Sequence, residues 1–194
     1  MRIKLEEADK TGAVSLEEAI ERRKSRRSFK RTTLAKKELS QLIWSAGKAP
    51  SAGATYPLEL YVVIGEECVD GIDAGVYHVE KGYSELEMHK EGDLRAALAV
   101  ACLSETFIAD APVSFVIAAE YERTTRRYGD RGVRYVHIEV GHVGQNIYLQ
   151  CESLGLATVA IGAFYDAEVV RVLSLPEEHK PIYVMPVGVG AEEV

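Results

Sequence analysis

The longest regular pattern in the chain runs through Val133, Val136, Val140, Val143, Ile147, Cys151 and Leu154. Intervals of three and four make this one helical stripe of about six turns. Gly155 stands where a C′ residue would end it. Leu39, Leu42 and Ile43 predict a second helix over 36–46, closing at Gly47. Ser15 with Glu18 three positions on has the spacing of a capping box, which opens a helix over about 16–24 with Leu16, Ala19 and Ile20 on one face. Leu60 to Ile64 reads as a buried strand within Leu58 to Gly65. Ala74 to Val79 and Tyr83 to His89 flank Lys81-Gly82 as a hairpin. Alanine-rich Asp93 to Ala111 predicts a helix broken near Ser104, and Pro112 opens a strand over Val113 to Ala119. Thr158 to Ile161 is a short strand, Asp166 caps a helix through Leu173, and Ile182 to Val189 is a last strand. Helices and strands alternate only loosely and one connection is a hairpin. The expected fold is therefore α+β, a mixed, largely antiparallel central sheet flanked by helices, rather than a Rossmann order. Residues 1–14 read as an arm or edge strand and 15–194 as one domain.

Composition narrows the class. At 47% apolar and 27% charged residues the chain is an ordinary globular protein, long enough to build a core without staples. Three cysteines with no CxxC spacing exclude a closed disulfide framework and point to a reducing compartment. No apolar run reaches the ~18 residues of a membrane span, and charges interrupt the N-terminus at once, so a cytoplasmic protein is expected. A net charge of −7 argues against a nucleic-acid or anionic-membrane binder. Against that balance, nine of the 23 basic side chains fall in the sixteen positions from Arg22 to Lys37. A solvated helix end accounts for such a run as readily as a local anion pocket does.

Most familiar chemistries are missing. His137 and His142 are five apart rather than the four that one helix face needs for zinc; His78, His89 and His179 are scattered along the chain, and no metal is expected. There is no Gly-x-Ser-x-Gly elbow, Walker loop or Gly-x-Gly-x-x-Gly. Three segments remain. The cationic run can clamp a phosphate. The small-residue loop Ala49-Pro50-Ser51-Ala52-Gly53-Ala54-Thr55-Tyr56-Pro57 can lie against a ring edge. Ile161-Gly162-Ala163-Phe164 lies between a strand and a helix and can present backbone amides to a flat ligand. Together they describe a site for flavin mononucleotide (FMN).

Arg23-Lys24-Ser25-Arg26-Arg27-Ser28-Phe29, Ala49-Pro50-Ser51-Ala52, Gly141-His142-Val143-Gly144-Gln145-Asn146 with Leu154-Gly155-Leu156, and Pro186-Val187-Gly188 occur in the order seen in the FMN-dependent nitroreductase superfamily, which the chain resembles over about residues 15–190. Ser51 to Leu60 and Arg127-Tyr128-Gly129 are similar to the branch that dehydrogenates azolines to thiazoles and oxazoles. Many members of that branch use a Lys-Tyr pair for base work. Here Tyr128 matches, but Arg127 replaces the lysine, and an arginine that stays protonated cannot be the base.

The resemblance implies that Arg23 and Arg27 hold the FMN phosphate and ribityl chain, with Ser25 adding its hydroxyl and Lys24 reaching the pyrimidine side. It places Pro50, Ser51, Ala52 and Gly53 along the ring, and the Ile161, Gly162 and Ala163 segment with its amides at N5 and O4. Tyr128 is the candidate proton donor or substrate contact. The implied activity is ping-pong hydride transfer from NAD(P)H through the flavin to an electron-poor small molecule. An azoline-type dehydrogenase acting on a peptide-derived substrate, and a flavin-binding protein without turnover, are the alternatives. A homodimer is implied too, with the 133–154 stripe buried between subunits and Gly141 and Gly144 allowing close approach.

Overall fold

The computed structural model describes residues 1–191. Strand β1 (Arg2–Lys4) is followed by helices α1 (Leu16–Arg22) and α2 (Lys36–Ala46), then β2 (Leu58–Ile64) and the hairpin of β3 (Gly75–Val79) and β4 (Glu85–Glu91). Helices α3 (Arg95–Ala101) and α4 (Phe107–Asp110) lead to β5 (Val113–Ala119), α5 (Glu122–Tyr128) and α6 (Arg131–Leu154). The chain then forms β6 (Ala157–Thr158), α7 (Asp166–Leu173) and β7 (Lys180–Gly188). One seven-stranded sheet has the order β1-β4-β3-β2-β5-β7-β6, and every named pairing is antiparallel.

Strand parity divides the core. Leu60, Val62 and Ile64 face α2 and α6, against Leu39, Leu42, Ile43, Val140, Val143 and Ile147. Tyr61 and Val63 face the other way, against Leu98 of α3 and Val169, Val172 and Leu173 of α7. The central strands are therefore buried on both sides, which is why β2 and β5 are nearly continuous apolar runs. The arm is pinned: the Glu6 amide donates to Ser40 Oγ at 3.0 Å and the Asp9 amide to Gln41 Oε1 at 2.8 Å.

Several elements depart from the pattern-based expectation. Helix α1 ends at Arg22, so Arg23 to Ser28 are not helical. The break expected near Ser104 is present, with residues 102–106 separating α3 from α4. The strand expected at 158–161 reduces to Ala157–Thr158 plus a bridge from Ile161 to Val184. Helix α5 was not predicted, because Glu-Arg-Thr-Thr-Arg-Arg-Tyr has no apolar stripe. The largest correction concerns α6. Its stripe packs into its own chain, with Val136, Val140, Val143, Ile147 and Cys151 all buried. These five positions are thus not an intersubunit surface, while Val133 at the start of the stripe is exposed. Gly144 also faces inward, toward Tyr183 and Met185, whereas Ile138 and Gly141 are exposed on the opposite side.

Candidate functional site

The loop between α2 and β2 is tightly folded. Ser51 Oγ accepts from the Tyr56 amide at 2.9 Å, and Ala54 and Thr55 amides donate to the carbonyls of Ser51 and Ala52. Gly53, Ala54 and Tyr56 have φ of 58°, 54° and 44°, so three of four consecutive residues adopt left-handed backbone. Tyr128 is half-buried, its ring edge-on to Tyr135, and its hydroxyl lies beside the α-carbon of Gly53.

Behind the loop lies a cavity of about 510 Å3, walled by Trp44, Tyr56, Tyr83, Glu59, Arg123 and Glu139 among others. Tyr83 enters from the hairpin with φ of 57°, and its ring covers Gly47, where a β-carbon would come within 2.6 Å of it. Burial raises the Glu139 carboxyl above its ordinary value, although the Ser51 hydroxyl, His142 and the Ala52 amide oppose the shift.

Glu59 sits at the cavity floor within a polar cluster that spacing could not reveal. Its Oε2 meets His78 Nε2 at 2.6 Å and its Oε1 meets Arg123 Nη2 at 2.5 Å; the same guanidinium nitrogen reaches Glu120 at 2.5 Å. Burial alone would raise this carboxyl, but hydrogen bonds from His78 and Arg123 and their charge outweigh it and hold it at about 2. Tyr61 bonds His179 Nδ1 at 2.7 Å, and the rings of His78, His89 and His179 all approach Tyr61. The three histidines scattered in sequence are therefore neighbours in space. Glu59, Glu120 and His179 bring ligand atoms within 4.8 Å of one another, yet Arg123 already supplies the cation between the two carboxylates.

The cationic segment is organised differently. Arg22, Arg26, Arg31 and Lys37 form ion pairs with Glu18, Glu152, Asp110 and Asp9. Arg23, Lys24, Arg27, Lys30 and Lys36 form none among the described residues. Because residues 23–28 are not helical, neighbours diverge. Arg23 lies over the Tyr148 ring and Ser25 Oγ is 2.8 Å from the Tyr148 hydroxyl, while Lys24 lines a separate cleft with Arg22, Arg26 and Ser28. Lys24 is thus set apart from the other residues expected to hold the ligand.

Tyr148 joins the early segment to the late one, because its hydroxyl also accepts from the Ala160 amide at 2.8 Å. It went unnoticed in the sequence because it flanks the apolar stripe and belongs to no motif. Ile161 exchanges both backbone groups with Val184 and is buried, so its amide is not available to a ligand. Gly162 and Ala163 are exposed, and among the described residues their amides have no protein acceptor. The loop and this segment lie at different levels of α6. Glu139 and Tyr148 are nine residues apart, about 14 Å along the axis at 1.5 Å per residue.

An antiparallel α+β domain of this topology has counterparts in fold among solved structures. The structure of "a putative nitroreductase" from Anabaena variabilis superposes with a TM-score of 0.86 at 24% identity, covering 98% of this chain but 42% of that one. The Vibrio harveyi NADPH:FMN oxidoreductase complexed with NAD+ gives 0.69 at 20% identity, covering 91% and 69% of the two chains. The Escherichia coli microcin synthetase McbBCD gives 0.75 at 20%, covering 95% and 76%. All three share the fold of this chain.

The Nitroreductase family model matches residues 20–189, and the chain belongs to that family. A Methanocaldococcus jannaschii protein named "Putative nitroreductase MJ1384" is 45% identical over 185 residues, covering 90% of this chain and 91% of its own. Family membership supports an oxidoreductase activity. Among the described residues no helix is long and apolar enough to cross a membrane.

Proposed function

We propose that the protein is an FMN-dependent oxidoreductase that moves a hydride from NAD(P)H to an electron-poor small molecule. The observation that carries this reading is the pairing of cations without acidic partners, Arg23 and Arg27, with amides without acceptors, Gly162 and Ala163, in segments that Tyr148 ties together. Guanidinium groups left without carboxylates suit a phosphate, and two adjacent unbonded amides suit acceptor atoms on a ring edge. A β-carbon on Gly162 would only touch the Tyr183 ring at 3.5 Å, so its own chain does not require a glycine there and the bare backbone serves an approaching ligand.

FMN, when bound, supplies two-electron chemistry, receiving a hydride and passing it on. The residues of this chain bind and orient it. Arg23, Arg27 and the Ser25 hydroxyl hold the phosphate and ribityl chain, and Gly162 and Ala163 donate to the ring. Pro50, Ser51, Ala52 and Gly53 line it, and Tyr128 faces the same loop as proton donor or substrate contact. The reading includes a homodimer, in which the exposed face of α6 carrying Ile138 and Gly141 is available to a second copy. The NADPH:FMN oxidoreductase of matching fold supports both the cofactor and the donor.

The deciding experiment is the absorbance spectrum of the purified protein, with release and identification of its chromophore, followed by anaerobic titration with NADH and NADPH. A yellow protein that bleaches with either reductant supports the reading. A protein that takes up FMN but bleaches with neither is a flavin binder without this activity. A colourless protein that refuses added FMN overturns the proposal.

A further inference from the structure

Helix α5 has no apolar stripe, and its side chains instead hold the 51–56 loop rung by rung. Arg123 Nη1 donates to the Tyr56 carbonyl at 3.3 Å, the Thr124 and Thr55 hydroxyls share a bond of 2.8 Å, and Arg127 Nη1 donates to the Gly53 carbonyl at 2.9 Å. A β-carbon on Gly53 would land on the Tyr128 hydroxyl and the Arg127 guanidinium. From the other side Ser51 and Ala52 face Glu139 of α6. The segment needs such restraint. Ala54 and Tyr56 sit in left-handed backbone without glycine's freedom, and the loop's own bonds are all local, within its six residues. Left alone, those residues would relax toward ordinary backbone angles.

We infer that α5 is a clamp and that Arg127 is its positioning residue, fixing the Gly53 carbonyl and so aiming the Ser51–Gly53 stretch at the flavin ring. The clamp stands on the contacts themselves; the identity of what it is aimed at rests on the function proposed above. In dehydrogenases of the branch this chain resembles, a lysine beside the tyrosine does base work. Here the arginine stays protonated and is already bonded to a carbonyl, so it supplies fixed geometry rather than a moving proton.

The test joins two readouts, amide hydrogen exchange of the loop in flavin-free protein and FMN affinity by quenching of flavin fluorescence. Arg127→Ala is expected to speed exchange at residues 54–56 about tenfold, leave β2 and β5 unchanged, and weaken FMN binding about tenfold, the scale of one charged hydrogen bond. Arg127→Lys, which can donate to the same carbonyl, restores both to within about threefold. Gly53→Ala, which drives a methyl group into the clamp, reproduces the alanine pattern with Arg127 intact. Unchanged loop exchange in Arg127→Ala, or a lysine variant that behaves like alanine, overturns the clamp. Faster exchange with FMN affinity unmoved overturns the aiming role. Wild-type protein that takes no FMN overturns the proposed function instead, and the exchange arm still decides whether the clamp exists.

Discussion

The loop and the cationic segment, the two halves of the candidate site, are built on opposite plans. In the 51–59 region most polar groups have protein partners: Arg123 binds Tyr56 and Glu59, Arg127 binds Gly53, Thr124 binds Thr55, and Glu59 binds His78. Around Tyr148 the strong groups are left over: Arg23 lies on its ring, and Arg23, the exposed Arg27 further along the same segment and the amides of Gly162 and Ala163 lack acidic or carbonyl partners among the described residues. The first half is finished by folding; the second is completed by whatever binds. Loop-side changes should therefore cost stability or loop order first and reach the ligand only through the loop's geometry, whereas cationic-side changes should cost ligand affinity alone.

The largest expected effect is on the finished side. Glu59 is held at about 2, well below its ordinary 4.5, which corresponds to about 3 kcal/mol of folding stability at neutral pH. A carboxylate whose folded value is depressed contributes in full above its unfolded value and loses that contribution as pH falls through the folded one. Wild-type stability should thus decline between about pH 5 and 2 on this account. Glu59→Gln should be less stable by about 3 kcal/mol at pH 7 and should lack that acid limb, as read by denaturant melts across pH. Equal acid limbs in both proteins would break the comparison on this side.

Next come Arg23→Ala and Arg27→Ala. Each should weaken FMN retention by about 1–3 kcal/mol through loss of a charged bond, with the melting temperature of flavin-free protein almost unmoved. Should either variant lose stability instead, the claim that folding leaves these groups unused fails. Gly47→Ala is smaller and returns to the built side. Its new methyl group meets the Tyr83 ring and should cost about 1–2 kcal/mol of stability while shifting the aromatic wall of the cavity. The single tryptophan, Trp44, lines the same cavity, and its emission reports that shift.

How far the sequence revealed this contrast depended on whether periodicity or contact made each element. Helix α2 was readable to the residue, because Leu39, Leu42 and Ile43 mark its face and Gly47 its end. Helix α6 was equally visible, but a stripe shows only that a face is covered and not by what, so its packing against its own sheet had to come from the structure. Helix α5 left no trace, since Thr124 and Arg127 are held by a loop some seventy positions earlier rather than by a core. The histidine cluster was hidden for the same reason: Tyr61 meets His78 through strand pairing and His179 through the approach to β7. The three candidate segments could be picked out by residue type, yet their separation along α6 could not.

The smallest effect sharpens the comparison most. Lys24 stands between two residues assigned to the phosphate and carries the same charge, so a site defined by composition alone would count all three equally. The backbone sets them apart: Lys24 shares a cleft with Arg22, Arg26 and Ser28, whereas Arg23 and Ser25 meet Tyr148. An exposed lysine that acts only through its charge contributes a screened, long-range attraction of about 0.5 kcal/mol. Lys24→Ala should accordingly weaken FMN retention by no more than that at low salt and by nothing measurable at high salt, while the Arg27→Ala deficit persists in both. An equal, salt-resistant loss at Lys24 would mean that this side chain touches the ligand, and that a bound phosphate rearranges the 23–28 backbone from the path it follows without one.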